Sequence, residues 1–170
     1  ALKKFGKTFG PVRSGALVGV VLAGGEGKRM GPGPLKPLRR LAGRPMVAHG
    51  VERLRPQVMD LVVIANEPNA AFRALKVAVI ADPADIQRAA RREDGGKGRK
   101  LGPLAGILAA LDWAAGLGAG LVITAAVDTP FLPADLVERL RGAAGPSGAA
   151  IAASPDAEGE MRLHPVFGLW

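Results

Sequence analysis

A glycine-rich run with nearby cations is the part of the sequence best suited to phosphate chemistry. The run Leu22-Ala-Gly-Gly-Glu-Gly-Lys-Arg-Met-Gly31 directly follows an apolar segment, and Lys36 lies five residues further on. Glycines let successive backbone N–H groups approach a phosphate chain without obstruction by a Cβ atom. Lys28, Arg29 and Lys36 add positive charge to the same stretch. The sequence therefore predicts a loop for nucleotide phosphates, the alternative being a glycine-rich turn without a chemical role.

Two better-known phosphate motifs do not fit this run. A Walker A loop requires Ser or Thr after Gly27-Lys28, where this chain has Arg29, and its first glycine would fall on Leu22. A dinucleotide fingerprint that starts at Gly25 reaches Met30 where its third glycine should stand. The loop is therefore of another kind.

Single polar residues follow three other apolar runs. Asn66, Asp82 and Asp128 each stand directly after such a run, where each also fits a turn or a helix cap. A lone carboxylate such as Asp128, facing a phosphate loop, suits Mg²⁺, which takes one or two protein carboxylates and completes its shell with phosphate oxygens and water. His164, which precedes Pro165, fits a structural role as well as a catalytic one.

Apolar runs and helical patterns alternate along the chain. We expect strands at 16–22, 60–65, 77–81, 120–127 and 149–153, helices at 44–55, 103–117 and 133–141, and an extended segment at 163–170. Uninterrupted apolar strands separated by helices are typical of a parallel sheet covered on both faces. The predicted fold is α/β, a three-layer αβα sandwich with a mostly parallel sheet. Ligands bind at the carboxyl ends of such strands, so the loop and the polar residues should meet there.

The composition excludes several other kinds of protein and site. The chain has 170 residues, 48% of them hydrophobic and 22% charged, which is typical of a single folded domain. Cysteine is absent and only two histidines occur, which excludes disulfides, thiolate metal sites, a cysteine nucleophile and a multi-histidine metal centre. No apolar run approaches the ~18–20 residues of a membrane span, and the start of the sequence does not resemble a secretory signal. A cytoplasmic location is expected.

The positive charge is concentrated in two segments. The formal net charge is +8, and most of the excess falls at the start of the chain and between residues 85 and 100. We expect residues 1–15 to form a flexible basic arm, residues 86–100 an exposed loop, and residues 16–170 the domain. Aromatic residues make up 4% of the chain and tyrosine is absent, so platforms for stacking bases are not expected. We interpret the charge as solvated, and a nucleic-acid partner is not predicted.

The remaining motifs make the sequence resemble one family. Gly102-Pro-Leu-Ala-Gly106, Asp128-Thr-Pro-Phe-Leu-Pro133 and His164-Pro-Val-Phe-Gly-Leu-Trp170 follow the glycine-rich run in this order. Together with Asn66 and Asp82, they make the chain similar to the molybdenum cofactor guanylyltransferases of the MobA type, which have a Rossmann-like nucleotidyltransferase sheet. The first motif is shared with many sugar-phosphate and cytidylyl enzymes, whereas the combination is more specific. The resemblance covers about residues 16–170.

The resemblance implies an activity and a set of site residues. The activity is transfer of GMP from GTP to the terminal phosphate of molybdopterin, with Mg²⁺ as cofactor and release of pyrophosphate. The implied nucleotide-binding residues are Leu22, Ala23, Gly24, Gly25, Lys36, Asn66, Asp82, Gly102 and Asp128. Arg29, Lys36 and Asp128 are implied to be catalytic, with Asp128 also the Mg²⁺ ligand, and His164 is implied to lie toward the pterin. The acceptor phosphate is already an anionic nucleophile, so the reaction requires no Ser–His or Cys–His pair.

Three features depart from the family pattern. The stretch around 86–100 is an insertion rich in Arg, Lys and Gly, and Leu35 stands where members often have Asp. Family members also continue beyond the position of Trp170 through a helix and a strand that carry an Asn-Thr-Pro element. We therefore expect the domain at 16–170 to lack this C-terminal helix and strand.

Two other functions stay open at this point. One is a cytidylyltransferase that acts on the same pterin or on a sugar or polyol phosphate. The other is a non-catalytic protein that binds GTP or the cofactor and delivers it, with molybdoenzyme-maturation proteins as partners.

Overall fold

The computed structural model describes residues 4–5, 15–24, 33–65, 70–81 and 102–170. The strands in these ranges are β1 (Lys4–Phe5), β2 (Leu17–Leu22), β3 (Arg40–Leu41), β4 (Arg44–Pro45), β5 (Asp60–Ile64), β6 (Ala78–Ile80), β7 (Leu121–Ala126), β8 (Ala150–Pro155) and β9 (Met161–Leu169). The α-helices are α1 (Met46–Leu54), α2 (Ala70–Ala74), α3 (Gly102–Leu117) and α4 (Leu136–Ala144). Short 3₁₀ turns occupy Lys36–Leu38, Arg55–Gln57 and Gly145–Ser147. Within the described ranges, no helix combines the length and the apolar character that a membrane crossing requires.

A seven-stranded sheet lies at the centre of the described structure, with the strand order β1-β6-β5-β2-β7-β9-β8. The four strands β6, β5, β2 and β7 are parallel to one another. β1 joins one edge of this block and β9 and β8 join the other, all in antiparallel pairing. Every residue of β2 is buried, which explains why the sequence shows an uninterrupted apolar run there. The predicted α/β fold with parallel central strands is confirmed.

Helices cover both faces of the sheet. One face carries α1 and α4, whose buried side chains share a core cluster with Leu17 and Val21 of β2. The other face carries α3, which packs against Val18, Val20 and Leu22 of the same strand. Successive side chains of a strand point to opposite faces, so one strand serves both cores. The predicted three-layer αβα sandwich is therefore observed.

Gly19 lies in the middle of β2, on the face that α1 covers. A Cβ atom at this position would lie 2.8 Å from Leu61 Cδ1, 3.0 Å from Val58 Cγ2 and 3.2 Å from Leu54 Cδ2. The end of α1 can approach β2 this closely because the strand has no side chain there. We expect Gly19→Ala to lower the free energy of unfolding by about 1–3 kcal/mol, the usual cost of overpacking a core.

Urea unfolding measures this change, and Gly142→Ala is a matched control. Gly142 lies in α4, and open space surrounds the position that a methyl group would take there, so the alanine meets no neighbour. Its higher helix propensity should raise the free energy of unfolding by up to about 1 kcal/mol. A Gly19→Ala protein as stable as the wild type would contradict the close approach.

The helix predicted at 133–141 spans Leu136–Ala144 instead, so the prediction is wrong by three residues at each end. Buried residues near both ends of α4 explain the difference. Leu132 is 1% exposed, so the chain before α4 enters the core as an irregular segment and not as the first helical turn. Ala144 packs in the same core and extends the helix to Gly145, whose φ of +52° ends it.

Two hairpins were not predicted. β3 and β4 pair across Ala42 and Gly43, whose φ angles of +48° and +77° are those of a tight hairpin turn. The helix predicted from residue 44 therefore begins at Met46, because its first two residues belong to β4. The strand expected at 149–153 and the extended segment expected at 163–170 correspond to β8 and β9, which also form an antiparallel hairpin, with a register shift between Ile151 and Ala152.

Candidate functional site

The carboxyl ends of β5, β2 and β7 lie level with one another. Leu22 at the end of β2 pairs with Ile64 on one side and with Ala126 on the other. The ladder continues one residue further, because Ala23 N donates to Ile64 O at 2.8 Å and Val127 N donates to Leu22 O at 3.0 Å. Gly24 and Asp128 therefore leave the sheet from the same edge, in adjacent strands.

An ion pair at this edge joins residues 92 positions apart in the sequence. The Lys36 ammonium group donates a hydrogen bond to Asp128 Oδ2. The Lys36 side chain is 20% exposed and the Asp128 side chain 44%, so solvent and ligands can reach the carboxylate. The structure thus brings together the cation predicted after the glycine-rich loop and the acid predicted after the fourth parallel strand.

The segment that carries Lys36 is held at the start of α1. Pro37 in the same 3₁₀ turn is buried, and Leu38 packs against the core. Met46 N, the first amide of α1, donates to Arg39 O at 2.8 Å. These contacts fix the backbone beneath the ammonium group, so its position depends on α1.

The segment that carries Asp128 is held at the other end of α1. Leu132 is buried, and its carbonyl accepts a hydrogen bond from Arg53 Nη1 at 3.1 Å. The carbonyl of Pro133 accepts one from Gln57 Nε2 at 3.1 Å. Phe131 between Asp128 and these anchors is 65% exposed, with the Arg53 guanidinium carbon 5.8 Å from its ring centroid.

Sequence reasoning missed these two anchoring residues. Arg53 and Gln57 are four residues apart, the spacing that places side chains on one side of a helix. That spacing was available in the sequence, but it did not reveal which carbonyl groups the side chains reach.

His164 lies in β9 at the same edge of the sheet. β9 is antiparallel to β7, with Thr124 opposite Gly168. His164 precedes Gly168 in β9, so it lies on the side of this pair toward which β7 runs to its carboxyl end. His164 Nε2 shares a hydrogen bond of 2.7 Å with Ser154 Oγ of β8, a partner that the sequence did not indicate.

The turn that joins β8 to β9 is organised by one carboxylate. Asp156 Oδ1 accepts hydrogen bonds from the backbone N–H groups of Glu158 and Glu160, at 3.1 and 2.9 Å. Asp156 Oδ2 accepts one from Arg162 Nε at 2.6 Å. The Arg162 hydrogen bond, followed by those of the backbone amides, holds the pKa of Asp156 below its usual range, against the opposing effect of desolvation. The turn between β8 and β9 is therefore ordered by the Asp156 and Arg162 side chains.

The other predicted site residues divide into two groups. Gly102 is the first residue of α3, on the opposite face of the sheet from α1. Gly25, Arg29, Asn66 and Asp82 lie outside the described residues. Their predicted contacts remain predictions.

The donor set at Asp128 fits a hard divalent cation that brings most of its own ligands. In the described part of the chain, no group of three or more His, Cys, Asp or Glu side chains is arranged to hold a metal ion. The Asp128 carboxylate is accessible at the carboxyl edge and can supply one ligand. A hard divalent cation can bind through so few protein carboxylates when phosphate oxygens and water complete its shell.

Parallel strands between helical layers, with a cation and a carboxylate at the carboxyl edge, are typical of a nucleotide-binding α/β domain with a Rossmann-like sheet. The chain belongs to the family of the MobA-like NTP transferase domain, whose model matches residues 19–170.

Individual relatives agree with this family. A molybdenum cofactor guanylyltransferase from Cereibacter sphaeroides is 44% identical over 154 residues, which cover 91% of this chain and 68% of that protein. One from Rhodobacter capsulatus is 45% identical over 154 residues, with the same coverage. In a crystal structure of molybdopterin-guanine dinucleotide biosynthesis protein A from Archaeoglobus fulgidus, the fold is shared with a TM-score of 0.59 at 21% identity, over 90% of this chain and 66% of that one. The chain therefore spans about two thirds of the length of these relatives.

Proposed function

We propose that this protein transfers GMP from GTP to the terminal phosphate of molybdopterin and releases pyrophosphate. The observation that carries the proposal is the 44% identity to a molybdenum cofactor guanylyltransferase across 91% of the chain. The contact between Lys36 and Asp128 supports it, because the reaction needs a cation and a metal-binding acid at one edge of the sheet.

The GTP site would occupy the carboxyl edge beyond β2. Leu22, Ala23 and Gly24 leave the sheet there, and their backbone would contact the nucleotide. Gly25 to Arg29 would wrap the phosphates. Asn66 and Asp82 would help to hold the nucleoside, and Gly102 would begin α3 beside the base. Selection of guanine would then rest on backbone and short polar groups, since a wrong base would leave buried polar groups unpaired.

Lys36 and Asp128 would both help to bind the negatively charged triphosphate, Lys36 directly and Asp128 through a metal ion. Asp128 would hold Mg²⁺, and Lys36 would bind phosphate oxygens. Mg²⁺, when bound, supplies positive charge that stabilises the phosphate oxygens during transfer. The ion pair seen in the structure would have to open in the complex, because each group then takes a partner from the substrate.

The proposed transfer balances without a protein nucleophile. An oxygen of the molybdopterin phosphate attacks the α-phosphorus of GTP, and the bond from this phosphorus to the oxygen that bridges to the β-phosphorus breaks. Pyrophosphate leaves with that electron pair, and a new phosphoanhydride joins GMP to the pterin. Positioning and charge stabilisation are the main contributions a protein makes to such a reaction. Arg29, Lys36 and Asp128 would provide them.

The acceptor would lie on the side of β9. His164 lies in β9 on the side of the Thr124–Gly168 pair that faces the carboxyl end of β7, and its Nε2 shares a hydrogen bond with Ser154 Oγ. We assign His164 to the pterin side of the site on this placement.

A panel of nucleoside triphosphates tests the proposal. GTP, CTP, ATP and UTP are each supplied with Mg²⁺, with and without molybdopterin, and pyrophosphate release is measured. Release that requires molybdopterin and is fastest with GTP is the expected result, and removal of Mg²⁺ with a chelator should abolish it. A preference for CTP would favour the cytidylyltransferase, and GTP binding without pyrophosphate release would favour a delivery protein.

A further inference from the structure

α1 contacts both halves of the candidate site. Its first amide is bonded to Arg39, next to the turn that carries Lys36. Its last turn and the 3₁₀ turn after it are bonded to Leu132 and Pro133, on the segment that carries Asp128. A helix of nine residues is about 13 Å long. The two charged groups therefore depend on contacts made at opposite ends of one rigid element.

The amide of Gln57 makes three hydrogen bonds at the second of these ends. Nε2 donates to Arg53 O at 2.8 Å and to Pro133 O at 3.1 Å. Oε1 accepts from the backbone N–H of Val137, in the first turn of α4, at 3.1 Å. One side chain thus joins the end of α1, the Asp128 segment and the start of α4.

The chain between Asp128 and Pro133 transmits position well. Pro130 and Pro133 each have a fixed φ, which removes part of the freedom of the segment. Leu132, which directly precedes Pro133, is 1% exposed and packs in the core. If loss of the Gln57 bond shifts Leu132 and Pro133 together, the stiffness of the segment carries that shift toward Asp128.

We propose that Gln57 is a positioning residue for the transfer reaction: it holds the Asp128 segment against α1 and so sets where Asp128 stands relative to Lys36. The kinetic test of this role rests on the proposed function. Gln57 itself touches neither reacting group, because its partners are Arg53, Pro133 and Val137.

Two substitutions separate the parts of this role. Gln57→Ala removes all three hydrogen bonds. Gln57→Glu keeps the acceptor for Val137 but loses both donors, so α4 stays capped while the Asp128 segment loses its hydrogen bond to residue 57. We expect both variants to lower kcat about tenfold while KM for GTP changes less than about twofold. The Mg²⁺ concentration at half-maximal rate should rise in both.

Arg55→Ala is the matched control. Arg55 lies in the same 3₁₀ turn as Gln57, and its Nη2 donates to Leu75 O at 3.0 Å, away from the Asp128 segment. Its loss should leave kcat and the Mg²⁺ dependence at wild-type values. If Arg55→Ala and Gln57→Ala lower kcat equally, the role of Gln57 is only structural and the proposal is overturned.

Hydrogen–deuterium exchange of the nucleotide-free protein gives a second readout. Amides of residues 129–137 should exchange faster in Gln57→Ala and Gln57→Glu than in wild type or Arg55→Ala. Wild-type protein that releases no pyrophosphate would overturn the proposed function. The role of Gln57 would then still be decided by hydrogen–deuterium exchange and by the Mn²⁺ affinity of the nucleotide complex, which should be lower in both Gln57 variants. Unchanged exchange in 129–137, or unchanged Mn²⁺ affinity, would overturn the positioning role.

Discussion

Asp128→Asn is expected to lower the rate of pyrophosphate release by a factor of about 10²–10³, the range found when one group that stabilises transferring charge is removed. Asparagine has the size of aspartate, so the loop keeps its shape. It lacks the negative charge that holds a hard cation and that pairs with Lys36. The effect should therefore fall on chemistry and metal dependence.

Folding should be almost unaffected by the same substitution. The Asp128 side chain is 44% exposed, and an exposed ion pair contributes about 0–1 kcal/mol. Leu132, Arg53 and Gln57 hold the segment without using the carboxylate. The effects on stability and on rate are compared by measuring urea unfolding and kcat on one preparation.

Asp135→Asn is a control of equal exposure in the same segment. Its side chain is also 44% exposed and forms an ion pair, with Arg139. We expect kcat within about twofold of wild type, because Asp135 pairs along α4 and not at the edge of the sheet. If the two variants lose the same activity, or if Asp128→Asn keeps wild-type rates, Asp128 does not hold the metal.

The parts of the fold that could be predicted from the sequence are those fixed by local pattern. β2, β5, β6 and β7 appear as short apolar runs because they are buried on both faces, and α3 appears as a long apolar helix. Once such strands are parallel, their carboxyl ends must share an edge. Topology therefore places Gly24 and Asp128 at one edge, and the contacts of the Lys36 turn with α1 and the core then bring Lys36 to Asp128, 92 positions away in the sequence.

The parts that could not be predicted depend on three-dimensional contacts between distant segments. Pro133 looks like the first residue of a helix, but Leu132 is buried, the Pro133 carbonyl is bonded to Gln57, and α4 begins at Leu136. In the sequence Gln57 is an ordinary polar residue after a helix, and its role cannot be predicted without knowing that it bonds to the carbonyl groups of Arg53 and Pro133. His164 contacts Ser154 across a hairpin whose register shifts. The alternation of side chains along a regular strand does not predict such a shift, so the contact could not be read from the sequence.

Lys36→Met is expected to weaken GTP binding about tenfold to a hundredfold at low salt, because one charge-assisted hydrogen bond to phosphate is lost. Methionine keeps most of the apolar stem of lysine, and the Lys36 side chain is 20% exposed. The difference from wild type should shrink as salt is raised, since ions screen the lost attraction. Calorimetric titration with Mg²⁺–GTP at several salt concentrations measures it, and a loss independent of salt would contradict a phosphate contact.

The same variant should bind metal more tightly when no nucleotide is present. In the structure the Lys36 ammonium group neutralises the Asp128 carboxylate, so a cation must displace it. Without the ammonium group the carboxylate is free to attract a divalent ion, and Mn²⁺ affinity should rise while GTP affinity falls. Two changes of opposite sign from one substitution cannot arise from a general loss of structure.

Arg139→Ala is the control that separates the loss of the Lys36–Asp128 contact from the loss of one positive charge. It removes the same unit of charge from another ion pair, Arg139 with Asp135, on the exposed side of α4. Both GTP and Mn²⁺ affinities should stay within about twofold of wild type, because at physiological ionic strength charges beyond about 8 Å are largely screened. If Arg139→Ala reproduces both changes, the charge of the whole chain is responsible. If Lys36→Met alone does so, Lys36 occupies the place of the metal until the nucleotide arrives.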